Sequence, residues 1–206
     1  MAGATALWSF RLASYVLFDR VLGHDEEDGR YKELRRSWGG RAQAFFLWFF
    51  LAQAGLILVF ALSPWLGLTA RREDSAALNT FDWLGLAIIA VAIVGESIAD
   101  RQLARFRRRP ENKGRVCRAG LWAYSRHPNY FFEWLHWWAY VVFAAGSTYW
   151  AWTLLAPALM LFFLLRVTGI PATEAQSLRS RGDEYRKYQR EVSALIPWPP
   201  KADSPG

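Results

Sequence analysis

Two stretches of this sequence place charged side chains at spacings that bear on chemistry. The first is ESIADRQLARFRRRP, residues 96–110. Laid on a helix, Glu96 and Asp100 fall one turn apart, as do Arg101 and Arg105. These carboxylates close a strongly apolar run, and carboxylates at membrane depth are costly enough to face a cavity or a partner. The arginines that follow either meet lipid phosphates as the flank of a membrane helix or hold a phosphorylated ligand. In the second case Asp100 bonds neutral polar groups of that ligand, and Arg107 and its neighbours take phosphates through the bidentate guanidinium fork.

The second stretch is GLWAYSRHPNYFFEWLHWWAY, residues 120–140. Pro128 suits the first position of a helix, which leaves Arg126, His127 and Asn129 at its mouth. Asn129, Glu133, His136 and Tyr140 then follow at i, i+4, i+7 and i+11, one polar stripe on an aromatic helix. An interfacial belt accounts for the tryptophans, but not for a stripe that continues inward through Glu133 and His136, so the stripe is expected to face a ligand. Two other arginines sit in apolar segments. Arg166, near the end of the last one, either snorkels to the headgroups or faces the ligand, and Arg11 is open to the same two readings. Gln53 reads as a hydrogen-bond donor between helices. Cys117 is the single cysteine, so no internal disulfide forms. The three histidines make no ligand pair at helical spacing, and no metal site is expected.

The elements that must position these residues are membrane helices. The 206 residues suit one domain, residues 1–206, and are 53% hydrophobic with twelve Trp, more large apolar surface than a soluble domain can cover. Crossing ~30 Å of hydrocarbon takes roughly 20 apolar residues. Residues 2–22, 44–66, 81–99, 130–146 and 149–168 meet or approach that length, the last two separated by a tight turn at Ser147 and Thr148. The fold expected is therefore all-α: a polytopic transmembrane bundle of about five helices. Arg11 interrupts the first segment, and no small-residue cleavage site follows, so it reads as a membrane helix rather than a cleaved leader. Residues 100–128 carry nine Lys and Arg against Asp100 and Glu111. The positive-inside rule puts that loop in the cytoplasm, with 23–43 and the C-terminal tail on the same side and 67–80 outside. The net charge of +7 is thus assigned to membrane orientation, not to nucleic acid. After Pro171 the tail reads as a cytoplasmic surface helix marked by Glu174, Leu178, Tyr185 and Tyr188. Gly182 is placed to break it, and 198–206 are expected to be loose.

Five segments taken together, LWSFRLASY, EDGRYKELRRSWGG, ADRQLARFRRRPENKGRV, GLWAYSRHPNYFFEW and DEYRKYQREVSALIPWPP, resemble the steroid 5-alpha-reductase C-terminal-like group, the DUF1295 family. That family shares a superfamily with sterol C14-reductases and isoprenylcysteine carboxyl methyltransferases. The resemblance implies a bundle that binds NADPH from the cytoplasmic side and reduces an activated C=C bond in a lipophilic substrate. It maps cofactor contacts onto Asp100, Arg107, Asn129 and Glu133, with Arg126 and His127 beside them, and onto Arg166 and Arg11 from neighbouring helices. The sequence departs from the family pattern where Phe132 stands in place of the usual glycine before the acid. Members also usually carry further membrane helices before LWSFRLASY.

The leading reading is accordingly an NADPH-dependent reductase of a steroid-like or other lipophilic enone. Hydride comes from the cofactor, and an acid polarises the acceptor carbonyl. Tyr124, Tyr130, Tyr140 and His136 are the candidate proton donors. The alternative is methyl transfer from S-adenosylmethionine, since RHPNY followed by a tail ending in Leu-Ile-Pro resembles the methyltransferase branch too. A third is a non-catalytic lipid-binding membrane protein. The partners expected are a lipophilic small molecule and membrane lipids, with no nucleic acid; the oligomeric state is left open.

Overall fold

The computed structural model describes residues 29–69, 78–167 and 169–201, together with Gly3, Ala6, Ser9, Phe10, Arg11, Ala13, Ser14 and Leu17. Most of the expected first membrane segment, and the larger part of the 67–80 loop, lie outside these residues. Among the described residues all regular elements are helical, and the only extended pairing is an isolated bridge between Ser125 and Ser193. The all-α architecture read from the sequence holds.

Helix α1 (Gly29–Trp38) turns through a short 3-10 segment into α2 (Ala42–Thr69). Helix α3 runs Thr80–Arg107 and α4 Pro128–Phe143. A 3-10 turn (Trp150–Leu154) leads into α5 (Leu155–Phe162), which loosens into a π turn (Phe163–Val167) before α6 (Ile170–Glu191). The start of α3 is fixed by a reciprocal capping box. The Asn79 side chain accepts from the Asp82 N–H, and the Asp82 carboxylate accepts from the Asn79 N–H, both at 2.9 Å. At 28 residues α3 is about 42 Å long. It therefore does not stop at the membrane-length run 81–99 but carries Asp100, Arg101, Arg105 and Arg107 on the same rigid rod.

Three stretches, Leu34–Gly67, Thr80–Arg107 and Trp150–Glu191, are long and apolar enough to cross a membrane. Their outer faces are those of a protein in lipid: Leu58 is 73% exposed, Trp48 69% and Trp83 62%. In water that surface would be an aggregation site. Of the expected pair 130–146 and 149–168, the second falls within the candidate span Trp150–Glu191 and the first is shorter than a full span. Helix α4 has 16 residues, about 24 Å. Its successor is divided into 3-10, α and π pieces. Pro157 contributes, since a proline inside a helix lacks the N–H for the ladder.

The bundle core lies between α3 and α4, where Ile89, Trp137, Ala139, Tyr140, Phe143 and Ala156 pack together. Polar groups within it find backbone partners. Ser63 Oγ donates to Thr153 O at 2.9 Å, and Trp134 Nε1 donates to Pro157 O at 3.0 Å. Close approach of α4 to α3 depends on small residues. The Phe132 ring lies over Gly95 so tightly that a Cβ there would fall 2.3 Å from a ring carbon. Gly95→Ala is therefore expected to destabilise the folded protein by about 1–3 kcal/mol, as overpacking does. A thermal unfolding midpoint in detergent equal to wild type would refute this.

The tail forms a polar cap with its own small core of Val116, Tyr185, Tyr188 and Val192. The expected break in α6 is present: Gly182 has φ 52° and ψ −125°, a conformation open to glycine and strained for other residues. The loose end expected from residue 198 onward is corrected for 198–201. Trp198 N donates to Tyr124 O at 2.9 Å and Lys201 N to Glu191 O at 2.8 Å. Residues 202–206 lie outside the described set.

Candidate functional site

The lower end of α3, the loop 115–127, the first turn of α4 and one face of α6 converge on a cavity of about 200 Å³. Each element arrives there for a local reason. Trp122 Nε1 donates to Ala99 O at 3.0 Å, and Leu121 N donates to the Gln102 side chain at 2.9 Å; both bonds pin the loop to α3. Ser125 Oγ bonds Leu195 O at 2.7 Å, and Tyr188 Oη reaches Trp122 O and Ser125 O, which ties the tail to the same loop. Pro128 then opens α4 at its first position.

Of the residues singled out from the sequence, the cavity gathers Asp100, Arg107, Arg126, His127, Asn129 and Tyr130. Asn129 Nδ2 donates to Asp100 Oδ1 at 3.3 Å, joining the two motifs across 29 residues of chain. Arg11 comes from the N-terminal segment and ties the carboxylates together. Its guanidinium lies 2.9 Å from Glu96 Oε1 and 3.2 Å from Asp100 Oδ2. Arg11 thus stands behind the cavity wall, against the carboxylates, and is not among the residues lining it. Glu133, one turn further along α4, is electrostatically coupled to Glu96; it likewise does not line the cavity.

The remaining candidates lie elsewhere. The Tyr140 hydroxyl and His136 Nε2 are 2.8 Å apart, both side chains buried within the bundle. The polar stripe therefore divides: its Asn129 end meets the cavity and its inner half is consumed by packing. Tyr124 is exposed and Arg166 is exposed, and neither lines the cavity.

Much of the Arg126 guanidinium is bonded within the protein. Its Nε donates to Glu174 Oε1 at 2.6 Å, and its Nη1 donates to Gln189 O at 2.9 Å and Val192 O at 2.6 Å. Its guanidinium staples the loop to the tail. Glu174 Oε1 also meets His127 Nε2 at 3.2 Å, and Oε2 accepts from Gln189 at 2.6 Å. Burial works to raise the Glu174 carboxyl, but hydrogen bonds from His127, Arg126 and Gln189, with the Arg126 charge, outweigh it. The net effect lowers it to about 2, so it is ionised under all physiological conditions. The His127 ring lies flat against Tyr130, centroids 5.3 Å apart and planes within 8°.

The sequence reading missed the tail's share of the wall: Thr173, Ser177, Arg181, Tyr185 and Tyr188 line the cavity. The signal was present. Residues 174, 178, 181, 185 and 188 recur at the spacing of a single helix face, and that face turns inward against the loop. Cys117 also lines the cavity, its thiol pushed up by burial. Among the described residues no group of three or more His, Cys, Asp or Glu is placed to hold a metal ion.

Comparison with known proteins gives two findings. The profile of a family described as protein of unknown function, DUF1295, matches residues 1–192. The chain is also 26% identical over 167 residues to methanethiol S-methyltransferase of Mycobacterium tuberculosis, a match covering 79% of this chain and 57% of the relative. The chain thus spans little more than half the length of that relative. No solved structure matches.

Proposed function

Because this chain belongs to the DUF1295 family, one of whose distant relatives methylates a thiol, we propose that it is a membrane-bound methyltransferase. It uses S-adenosylmethionine, and its acceptor is a small or lipophilic thiol. This places the weight on the second of the two enzyme readings taken from the sequence. One observation carries the shift: the cavity is small for a dinucleotide. At about 200 Å³ it lies below the ~300–1,000 Å³ usual for small-molecule sites, which favours the smaller of the two cofactors. NADPH brings two nucleosides, a pyrophosphate and a 2′-phosphate, whereas S-adenosylmethionine brings one nucleoside and one carboxylate. Of the arginines on the wall, Arg126 bonds Glu174 and two carbonyls and Arg181 donates to Arg115 O and Ser177, while the Arg107 and Arg115 side chains make no hydrogen bond among the described residues.

The residues present fit the smaller cofactor. Arg107 suits its carboxylate, Asp100 and Asn129 suit ribose hydroxyls or the ammonium, and the rings of Phe106 and Tyr130 offer apolar faces to a base. When bound, S-adenosylmethionine supplies a methyl group made electrophilic by a sulfonium. The protein's part is to orient donor and acceptor in line, keep water out and receive the thiol proton.

Purified protein titrated with S-adenosylmethionine, NADPH and NADH side by side tests the proposal. Micromolar affinity for the first, with none measurable for the other two, is the expected result. NADPH binding with no S-adenosylmethionine affinity would return the assignment to the reductase reading, which Arg107 and Arg115 still favour.

We further propose that the cavity opens to the cytoplasm, from the arginine excess of residues 100–128. A cysteine at Asn112, in a Cys117→Ser background, is expected to resist an impermeant maleimide in intact cells and to react after lysis. Labelling in intact cells would reverse the orientation.

A further inference from the structure

Glu174 is not on the cavity wall, yet it holds two residues that are, Arg126 and His127. One carboxylate oxygen, Oε1, meets both Arg126 Nε at 2.6 Å and His127 Nε2 at 3.2 Å. The other accepts from the Gln189 amide. An ionised carboxylate only accepts hydrogen bonds, so the contact with His127 requires the proton to sit on Nε2. In a neutral imidazole the second nitrogen is then an acceptor. His127 Nδ1 makes no hydrogen bond with the described residues, and the ring belongs to the cavity wall. The ring cannot turn away easily. It is 3% exposed, stacked on Tyr130, and its backbone N–H is held by Ser125 Oγ at 3.1 Å. The Tyr130 hydroxyl is in turn 3.3 Å from Thr173 Oγ1, the residue before Glu174.

We infer that Glu174 is a positioning residue that locks His127 as its Nε2–H tautomer, and that His127 Nδ1 is the base that accepts the proton of the thiol. This inference rests on the methyl-transfer reading for its second half only. The step balances. The S–H bond of the thiol breaks and its proton passes to His127 Nδ1. The thiol sulfur forms a bond to the methyl carbon as the sulfonium C–S bond breaks, its electron pair remaining on the departing thioether. The imidazolium then returns its proton to water. Net, one thiol and one sulfonium give two thioethers and a proton. The cation formed on His127 is stabilised by Glu174, as a carboxylate behind a histidine does in other acid–base pairs.

The test uses the full chain in lipid nanodiscs, labelled with ¹⁵N-histidine. The His127 signals are assigned by their loss in His127→Asn. The expected spectrum has a protonated Nε2 and a bare Nδ1 without any cofactor or substrate present, and in Glu174→Leu the two tautomers mix. With 1-butanethiol as acceptor, Glu174→Gln is expected to lower kcat by about 10- to 100-fold. Its Kd for S-adenosylhomocysteine and its KM for the thiol should stay near wild type, with part of the rate recovered in Glu174→Asp. A wild-type His127 carrying its proton on Nδ1 would overturn the lock, and that measurement needs no variant to fold. Unchanged kcat in Glu174→Gln would overturn the catalytic role. If the Nε2–H tautomer is present but no thiol is methylated, the base assignment falls with the methyl-transfer reading while the lock stands.

Discussion

Replacing Arg11 with methionine is expected to cost about 3 kcal/mol of folding stability, the lower end of the range for removing one partner of a buried ion pair. Arg11 lies within 2.9 Å of Glu96 and 3.2 Å of Asp100, and its side chain is only 22% exposed. Both carboxylates sit on α3, and Glu133 on α4 is coupled to the first of them. Without the guanidinium, Glu96 and Asp100 lose the ion-pair partner they share and face each other across one helix turn. The loss has a distinctive signature: neutralising a partner should relieve part of it. Arg11→Met with Glu96→Gln should therefore be more stable than Arg11→Met alone, by a coupling of about 1 kcal/mol or more. Equal stability of the double and single variants would show that Arg11 acts through packing instead.

The second large effect separates the candidate cofactors. Arg107 lines the cavity and, unlike Arg126 and Arg181, makes no hydrogen bond or ion pair with the described residues. A charge-assisted bond from it to a ligand anion contributes on the order of 1.5–3 kcal/mol. Arg107→Gln should then weaken S-adenosylmethionine by about ten- to a hundredfold, through loss of the contact to its carboxylate. Decarboxylated S-adenosylmethionine, which lacks that group, should bind wild type and variant alike. If the reductase reading were correct, the same substitution would weaken NADPH selectively over NADH where Arg107 meets the 2′-phosphate, and both equally where it meets the pyrophosphate. Binding isotherms for the four ligands against the two proteins distinguish these patterns. Unchanged affinity for all four would remove Arg107 from the site. Arg108 and Arg109, exposed and off the cavity wall, serve as controls whose replacement by Gln should leave every isotherm in place.

What the sequence determined by itself is what short-range physics controls. Apolar runs of membrane length can satisfy their backbone only as helices, so 44–66 and 81–99 became the bodies of α2 and α3. Pro128 and Gly182 marked an N-terminus and a break because ring geometry and positive φ act on one residue at a time. Asp100, Arg107, Arg126, His127 and Asn129 drew notice because polar groups beside lipid-facing segments need a reason.

The partner of each such group was decided by tertiary contacts that no spacing encodes. Arg126 and Arg107 carry the same charge and both line the cavity, yet one bonds Glu174 and two tail carbonyls and the other makes no hydrogen bond or ion pair among the described residues. His127 and His136 are both buried, but Glu174 comes against the first, and the second meets Tyr140 inside the bundle. The stripe on α4 is continuous in sequence and divided in space, because α3 and α5 close over its inner half while the tail helix stops at its mouth. A hydrogen bond between residues 47 or 48 positions apart, as between Glu174 and the His127–Arg126 pair, depends on where two helices meet. That meeting is set by the packing of the whole cap, not by the residues that profit from it.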